Sequence, residues 1–146
     1  MRLATQRRSG KLLFPDAELM ASLVDLYFTQ ANTYLPLLHK PTFIGGIREG
    51  LHLRDLSFGC IVLLVCAIGA RFSDDPRVIL EEEKASQSAG DPPTYLSAGW
   101  AYFCQVQDVL PLLSLRPPRL YEMQLMSVSA YRSYHAPSEL TRQFEI

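Results

Sequence analysis

The run from Phe58 to Ala70, FGCIVLLVCAIGA, is thirteen consecutive residues without a charge. A helix that crosses a bilayer needs about 20 apolar residues, so this run is too short for a membrane span. It reads as a helix buried inside a protein. Because it is apolar on all sides rather than along one stripe, neighbours must surround it on most faces. Asp55 stands just before it as a capping residue, and the predicted helix runs from Asp55 to near Arg71. The rest of the chain has to supply its cover.

That cover is helical in pattern. Asp16 follows Phe14-Pro15 and can cap a helix whose stripe is Leu19, Leu23, Leu26 and Tyr27, ending near Ala31. Pro36 and Pro41 break the chain there, and Gly45, Gly46 and Gly50 predict that any helix between Thr42 and Glu49 is short. Asp75-Pro76 places a cap before a proline at the first helical position, which predicts a short helix from Pro76 to about Lys84. The segment ASQSAGDPP, from Ala85 to Pro93, reads as an exposed loop. A further helix is expected over about Tyr95 to Leu110, with Leu96, Trp100, Phe103 and Leu110 on one stripe and Pro111 disturbing or ending it. Arg116-Pro117-Pro118 separates it from a last helix, about Arg119 to Tyr134, carrying Tyr121, Leu125, Val128 and Tyr131. No alternating strand pattern competes. The expected fold class is all-α, with about four main helices plus short helical segments around one core.

Charge excludes several function classes. A formal net charge of −1 does not suit a protein that holds a polyphosphate backbone, which needs clustered Lys and Arg. Arg2, Arg7, Arg8 and Lys11 form the only basic cluster, read as a solvated terminus. Cys60, Cys66 and Cys104 are an odd set without metal-ligand spacing, which supports neither a disulfide framework nor a zinc site. With no apolar leader at the N-terminus, a reducing intracellular setting is the simplest inference.

Catalytic chemistry finds no foothold. His39, His52 and His135 are far apart and make no ligand or general-base pattern. There is no nucleophile elbow, phosphate loop or dinucleotide fingerprint. Asp74 and Asp75 are adjacent carboxylates, but neighbours in sequence do not face each other on a helix. Asp75 is assigned to capping, with Arg71 and Arg77 nearby to neutralise Asp74. Glu81-Glu82-Glu83 reads as a solvated helix end, and Trp100, Tyr102 and Phe103 as core. No catalytic, cofactor, metal or DNA-binding residue is therefore assigned.

Several strings together carry a family likeness. They are Leu26-Tyr27-Phe28, then Tyr34 to Phe43 (YLPLLHKPTF), Glu49 to Asp55 (EGLHLRD), Phe58-Gly59, Val62 to Val78 (VLLVCAIGARFSDDPRV) and Ala98-Gly99-Trp100. Over roughly residues 14 to 134 the chain resembles the middle homology region of fungal binuclear zinc-cluster transcription factors. The likeness implies an all-α regulatory domain of a nuclear transcription regulator, downstream of a six-cysteine zinc module that reads DNA. It implies protein partners, for dimerisation or contact with the transcriptional machinery, and zinc only in that module. The signature falls on Pro36, His39, Pro41, Phe43, Arg71, Asp74, Asp75, Pro76 and Trp100. The expected organisation is a flexible basic segment over 1–13, the regulatory domain over 14–134 and a divergent tail over 135–146. No six-cysteine cluster precedes the domain in this sequence, and the family pattern continues for further helices. The chain is thus expected to be a fragment of a larger helical domain, with a free-standing helical adaptor as the alternative.

Overall fold

The computed structural model describes residues 11–86, 90, 97–113, 124, 127 and 128. Six α-helices are defined among the described residues: α1 (Ala17–Leu26), α2 (Lys40–Arg48), α3 (Leu51–Arg54), α4 (Leu56–Ala70), α5 (Glu81–Ser86) and α6 (Trp100–Leu113). No strand occurs among the described residues. The fold class is all-α. The apolar run is α4, and every residue from Ser57 to Ala70 is buried. Asp55 caps it as expected, its carboxylate accepting from the Phe58 N–H at 3.0 Å. The helix packs against α1, α3 and α6, so the cover that its all-round apolarity demands comes from three sides.

α1 buries Leu19, Leu23 and Val24 and continues as a π-helical turn, Tyr27–Ala31. The helical path thus reaches Ala31, with one wider turn that presents Tyr27 and Phe28 to the core. The Asp16 side chain makes no cap hydrogen bond. Its carboxylate lies 3.9 Å from Arg77 instead, so the capping expectation there is corrected.

The helix around Thr42 to Glu49 is short, as expected: α2 has nine residues and stops before Gly50, whose φ is +71°. α2 runs through Gly45 and Gly46, because the Phe58 ring packs where a side chain at 46 would be: a Cβ there would stand 2.7 Å from Phe58 Cζ. Tight helix packing offsets glycine's poor helix propensity. The helix expected from Pro76 to Lys84 is split. Pro76–Val78 is a single 3₁₀ turn, Ile79 is extended, and α5 starts at Glu81. The reason is long-range: Val78 O accepts from Gly99 N at 3.0 Å and Leu80 N donates to Ser97 Oγ at 2.9 Å, and these bonds stand in place of helical ones.

Pro111 lies inside α6 rather than ending it. The bond it forfeits is to the carbonyl one turn back, and the described helix continues past it through Leu112 and Leu113. Phe103 and Val106 are buried while Trp100 and Leu110 are half-buried, so the inward stripe is centred on the former pair. Of the last expected helix, only Gln124, Ser127 and Val128 lie within the described residues; they are helical, and Val128 is buried. Its Tyr121, Leu125 and Tyr131, together with Leu96, His135 and most of the loop over 85–93, lie outside the described residues. No helix among the described residues is long and apolar enough to cross a membrane.

Cys60 and Cys66 sit in the centre of α4, and burial pushes both thiols up to about 12. Since the thiolate is the reactive form, burial that disfavours it leaves both thiols unreactive near neutral pH. Both cysteines are expected to resist a maleimide or disulfide reagent in the native protein and to react on unfolding in urea. Labelling followed by peptide mass analysis reads this directly; fast native labelling of either one would contradict the placement of α4.

Candidate functional site

The signature residues form two groups, one at each end of α4. At its N-terminal end lies the corner between α1 and α2. Pro36 is exposed in the bend. His39 precedes α2, its Nδ1 2.7 Å from Thr42 Oγ1, and Pro41 occupies the first turn, where a missing N–H has no helical partner to lose. Phe43 is buried and completes a row of rings, its centroid 5.6 Å from Phe28 and 5.5 Å from Phe58. Asn32, which the sequence reading did not single out, fixes the bend. Its Nδ2 donates to Leu38 O at 3.1 Å and its Oδ1 accepts from Leu38 N at 3.2 Å.

At the other end, about 20 Å away at 1.5 Å per residue, the chain turns at Arg71. Asp75 caps the 3₁₀ turn, accepting from Arg77 N at 2.8 Å, and its carboxylate also takes the Arg77 guanidinium through Nε and Nη2. Those side-chain and backbone bonds hold the Asp75 carboxyl below the usual carboxylate range. Arg77 therefore engages Asp75, whereas the sequence reading gave it to Asp74, which is exposed. Arg71 is half-buried; burial lowers its pKa while the charge of Glu83 acts in the opposite direction.

Glu83 is not a solvated charge. Its Oε2 accepts from Ser97 N at 2.8 Å and from Ser97 Oγ, and the same Oγ accepts from Leu80 N. This latch fastens the start of α6 to the α4–α5 connection. Ala98 and Gly99 are buried behind it, and Trp100 opens α6 with its ring 5.8 Å from that of Phe103. The sequence signal for the latch was weak, because its partners are fourteen residues apart and lie in polar segments that read as loop and solvated helix.

Asp75 is expected to act through its hydrogen bonds. Replacing it with alanine should cost about 1 kcal/mol, the usual effect of losing a cap, and asparagine should retain most of that. Since the folded-state pKa is depressed, the contribution is present above the ordinary carboxylate pKa and is lost as pH falls through the lowered value. Urea unfolding of both variants at pH 7 and pH 3 checks the direction. Equal losses for asparagine and alanine at pH 7 would mean that the charge pair with Arg77 outweighs the cap.

Nothing in these two groups converges on a substrate-sized set of reactive atoms. His39 and His52 lie on different elements, and His52 packs edge-on against Phe14 with its pKa lowered by burial. Among the described residues, no three His, Cys, Asp or Glu side chains are placed to hold a metal ion. Asp75 caps the 3₁₀ turn, and the latch beside it is made by Glu83 and Ser97.

Comparison with known families places this arrangement. The model of the fungal specific transcription factor domain matches residues 24–134, which takes in both ends of α4, the corner and the latch. No curated protein and no solved structure matches the chain. The matched span holds all nine signature residues and covers well over half of the sequence. The chain belongs to the fungal-specific transcription factor domain family.

Proposed function

We propose that this domain is the regulatory and interaction part of a nuclear transcription regulator, acting through protein contacts while DNA is read by a zinc-cluster module that these 146 residues do not contain. The observation that carries this reading is the family match over 24–134. The use of polar side chains supports it. Asp55, Asp75, Glu83 and Asn32 are all committed to backbone groups, and such a domain is built to hold a shape for a partner rather than to transform a substrate. Nuclear action is part of this reading and is supported by the same match; the contacts it proposes are protein partners, either a second regulator or the transcriptional machinery.

The charge distribution supports the division of labour. A net charge of −1 leaves little of the counterion release that drives binding to duplex DNA. In an electrophoretic shift at physiological salt the isolated chain should bind random and genomic duplexes no tighter than micromolar. Sequence-specific binding at nanomolar concentration would assign DNA reading to these residues and overturn the proposal.

A further inference from the structure

The segment Lys11 to Pro15 runs without regular structure across the outside of the helices. Leu12 and Leu13 fall in the stretch that the sequence reading treats as a flexible terminus, yet they are held in place. The backbone of Leu13 is gripped on both sides by the Gln105 amide: Leu13 N donates to Oε1 at 2.8 Å, and Nε2 donates to Leu13 O at 3.1 Å. This is the pairing that a neighbouring strand would make, here supplied by one side chain of α6. The side chains of Leu12 and Phe14, two residues apart, turn inward together onto Gly59 of α4. A Cβ on Gly59 would lie 2.9 Å from Leu12 Cδ1 and 3.3 Å from Phe14 Cζ. Phe14 also meets the His52 ring edge-on at 4.9 Å, while Leu13 points outward.

The floor of this groove is chemically incomplete. His52 Nδ1 is the one buried side-chain polar atom without a hydrogen-bond partner among the described residues. Buried polar groups are nearly always paired, and Phe14 of the strap lies edge-on to this ring without supplying its nitrogen a bond.

We propose that the groove formed by His52, Gly59 and Gln105 is a docking site for an extended segment of a partner protein, with a large aliphatic residue and an aromatic residue separated by one non-proline residue. The chain's own Leu12-Leu13-Phe14 fills it in cis as a displaceable stand-in. Recognition of an extended peptide through paired main-chain bonds at one residue and pockets for the alternate side chains is an established mode of peptide binding. Gln105 supplies the first element and the bare backbone at Gly59 the second. A tethered segment competes at a high effective concentration, so the groove is closed until a better ligand arrives. A partner that also offers His52 Nδ1 a hydrogen bond gains what the strap lacks. This inference rests on the reading of the domain as a protein-interaction module; its test addresses the groove alone.

The probe is a fluorescein-labelled peptide of residues 9–17 added to the full chain and followed by anisotropy. The intact chain should bind it weakly. The Leu12→Ser/Phe14→Ser variant, whose own strap no longer fills the pockets, should bind it at least tenfold tighter. Adding Gln105→Ala should remove most of that gain, and a control peptide with Leu13→Pro should not bind. Because the double variant could unfold, a second measurement uses the native chain: hydrogen exchange at the Leu13 amide should speed up when unlabelled peptide is added in excess. A folded double variant that binds no tighter than the native chain, or a Leu13 amide indifferent to peptide, overturns the proposal. Concentration-dependent dimerisation that exchanges straps between two copies would also overturn it, by giving the groove to a second copy. Failure of any of these leaves the family match and the DNA-binding result of the isolated chain unchanged, so the two readings fall separately.

Discussion

Replacing Gly69 with alanine is expected to destabilise the domain by about 3 kcal/mol, the upper end of the usual overpacking range. At Gly69, near the end of α4, the backbone of α1 comes so close that an added Cβ would run into the Leu23 carbonyl group, with the Leu23 Cα only 3.1 Å away. The obstacle is backbone, which cannot rotate aside, so α1 must separate from α4 and expose part of the Leu19, Leu23 and Val24 stripe. Helix propensity favours alanine over glycine by about 1 kcal/mol and opposes this only in part. Gly45→Ala is the control. It too is helical, but a Cβ there meets nothing within 4 Å, so that substitution should stabilise by about 0.5 to 1 kcal/mol. Urea unfolding of the two variants should therefore move the midpoint in opposite directions. Equal midpoints would show that α1 and α4 are not in backbone contact at Gly69.

A loss of similar size, about 3 kcal/mol, is expected for Gly99→Ala, from two causes that a second variant separates. Gly99 has φ +78°, a left-handed conformation that L side chains seldom adopt, and its Cβ would lie 2.5 Å from Ala67 O. Gly90 also has a positive φ, +104°, but has open space around it. Gly90→Ala should thus cost only the backbone strain, about 1 kcal/mol. The excess at Gly99 measures how closely the latch presses α6 onto α4. If the two substitutions cost the same, α6 does not approach Ala67 as described.

These two glycines also show what the sequence could and could not convey. An uncharged run of thirteen residues admits few structures other than a buried helix, and a carboxylate just before it marks its start, so α4 was legible to within a residue. Asp75 was legible as a cap for the same local reason. Gly69 sits within that run without any local sign that α1 lies against it. The 3₁₀ break after Pro76, the role of Glu83 and the docking of Leu13 on Gln105 depend on partners fourteen to ninety-two residues away. Local propensity is silent about such pairs. The ring contacts of Phe43 with Phe28 and Phe58 became visible only in the folded chain.

The most direct test of the domain's assignment is a tethered reporter. The 146-residue chain is fused to an unrelated DNA-binding module in a fungal host and output is compared with that of the module alone, alongside fusions carrying Gly69→Ala, Gly99→Ala and Gly45→Ala. The fused native domain should raise or lower transcription reproducibly. Gly45→Ala should behave as the native domain does, and the other two should lose the effect in proportion to their loss of folded protein, because a regulatory domain acts through a defined packed state. A well-folded native fusion that leaves the reporter unchanged would contradict a role in transcription and favour a free-standing helical adaptor.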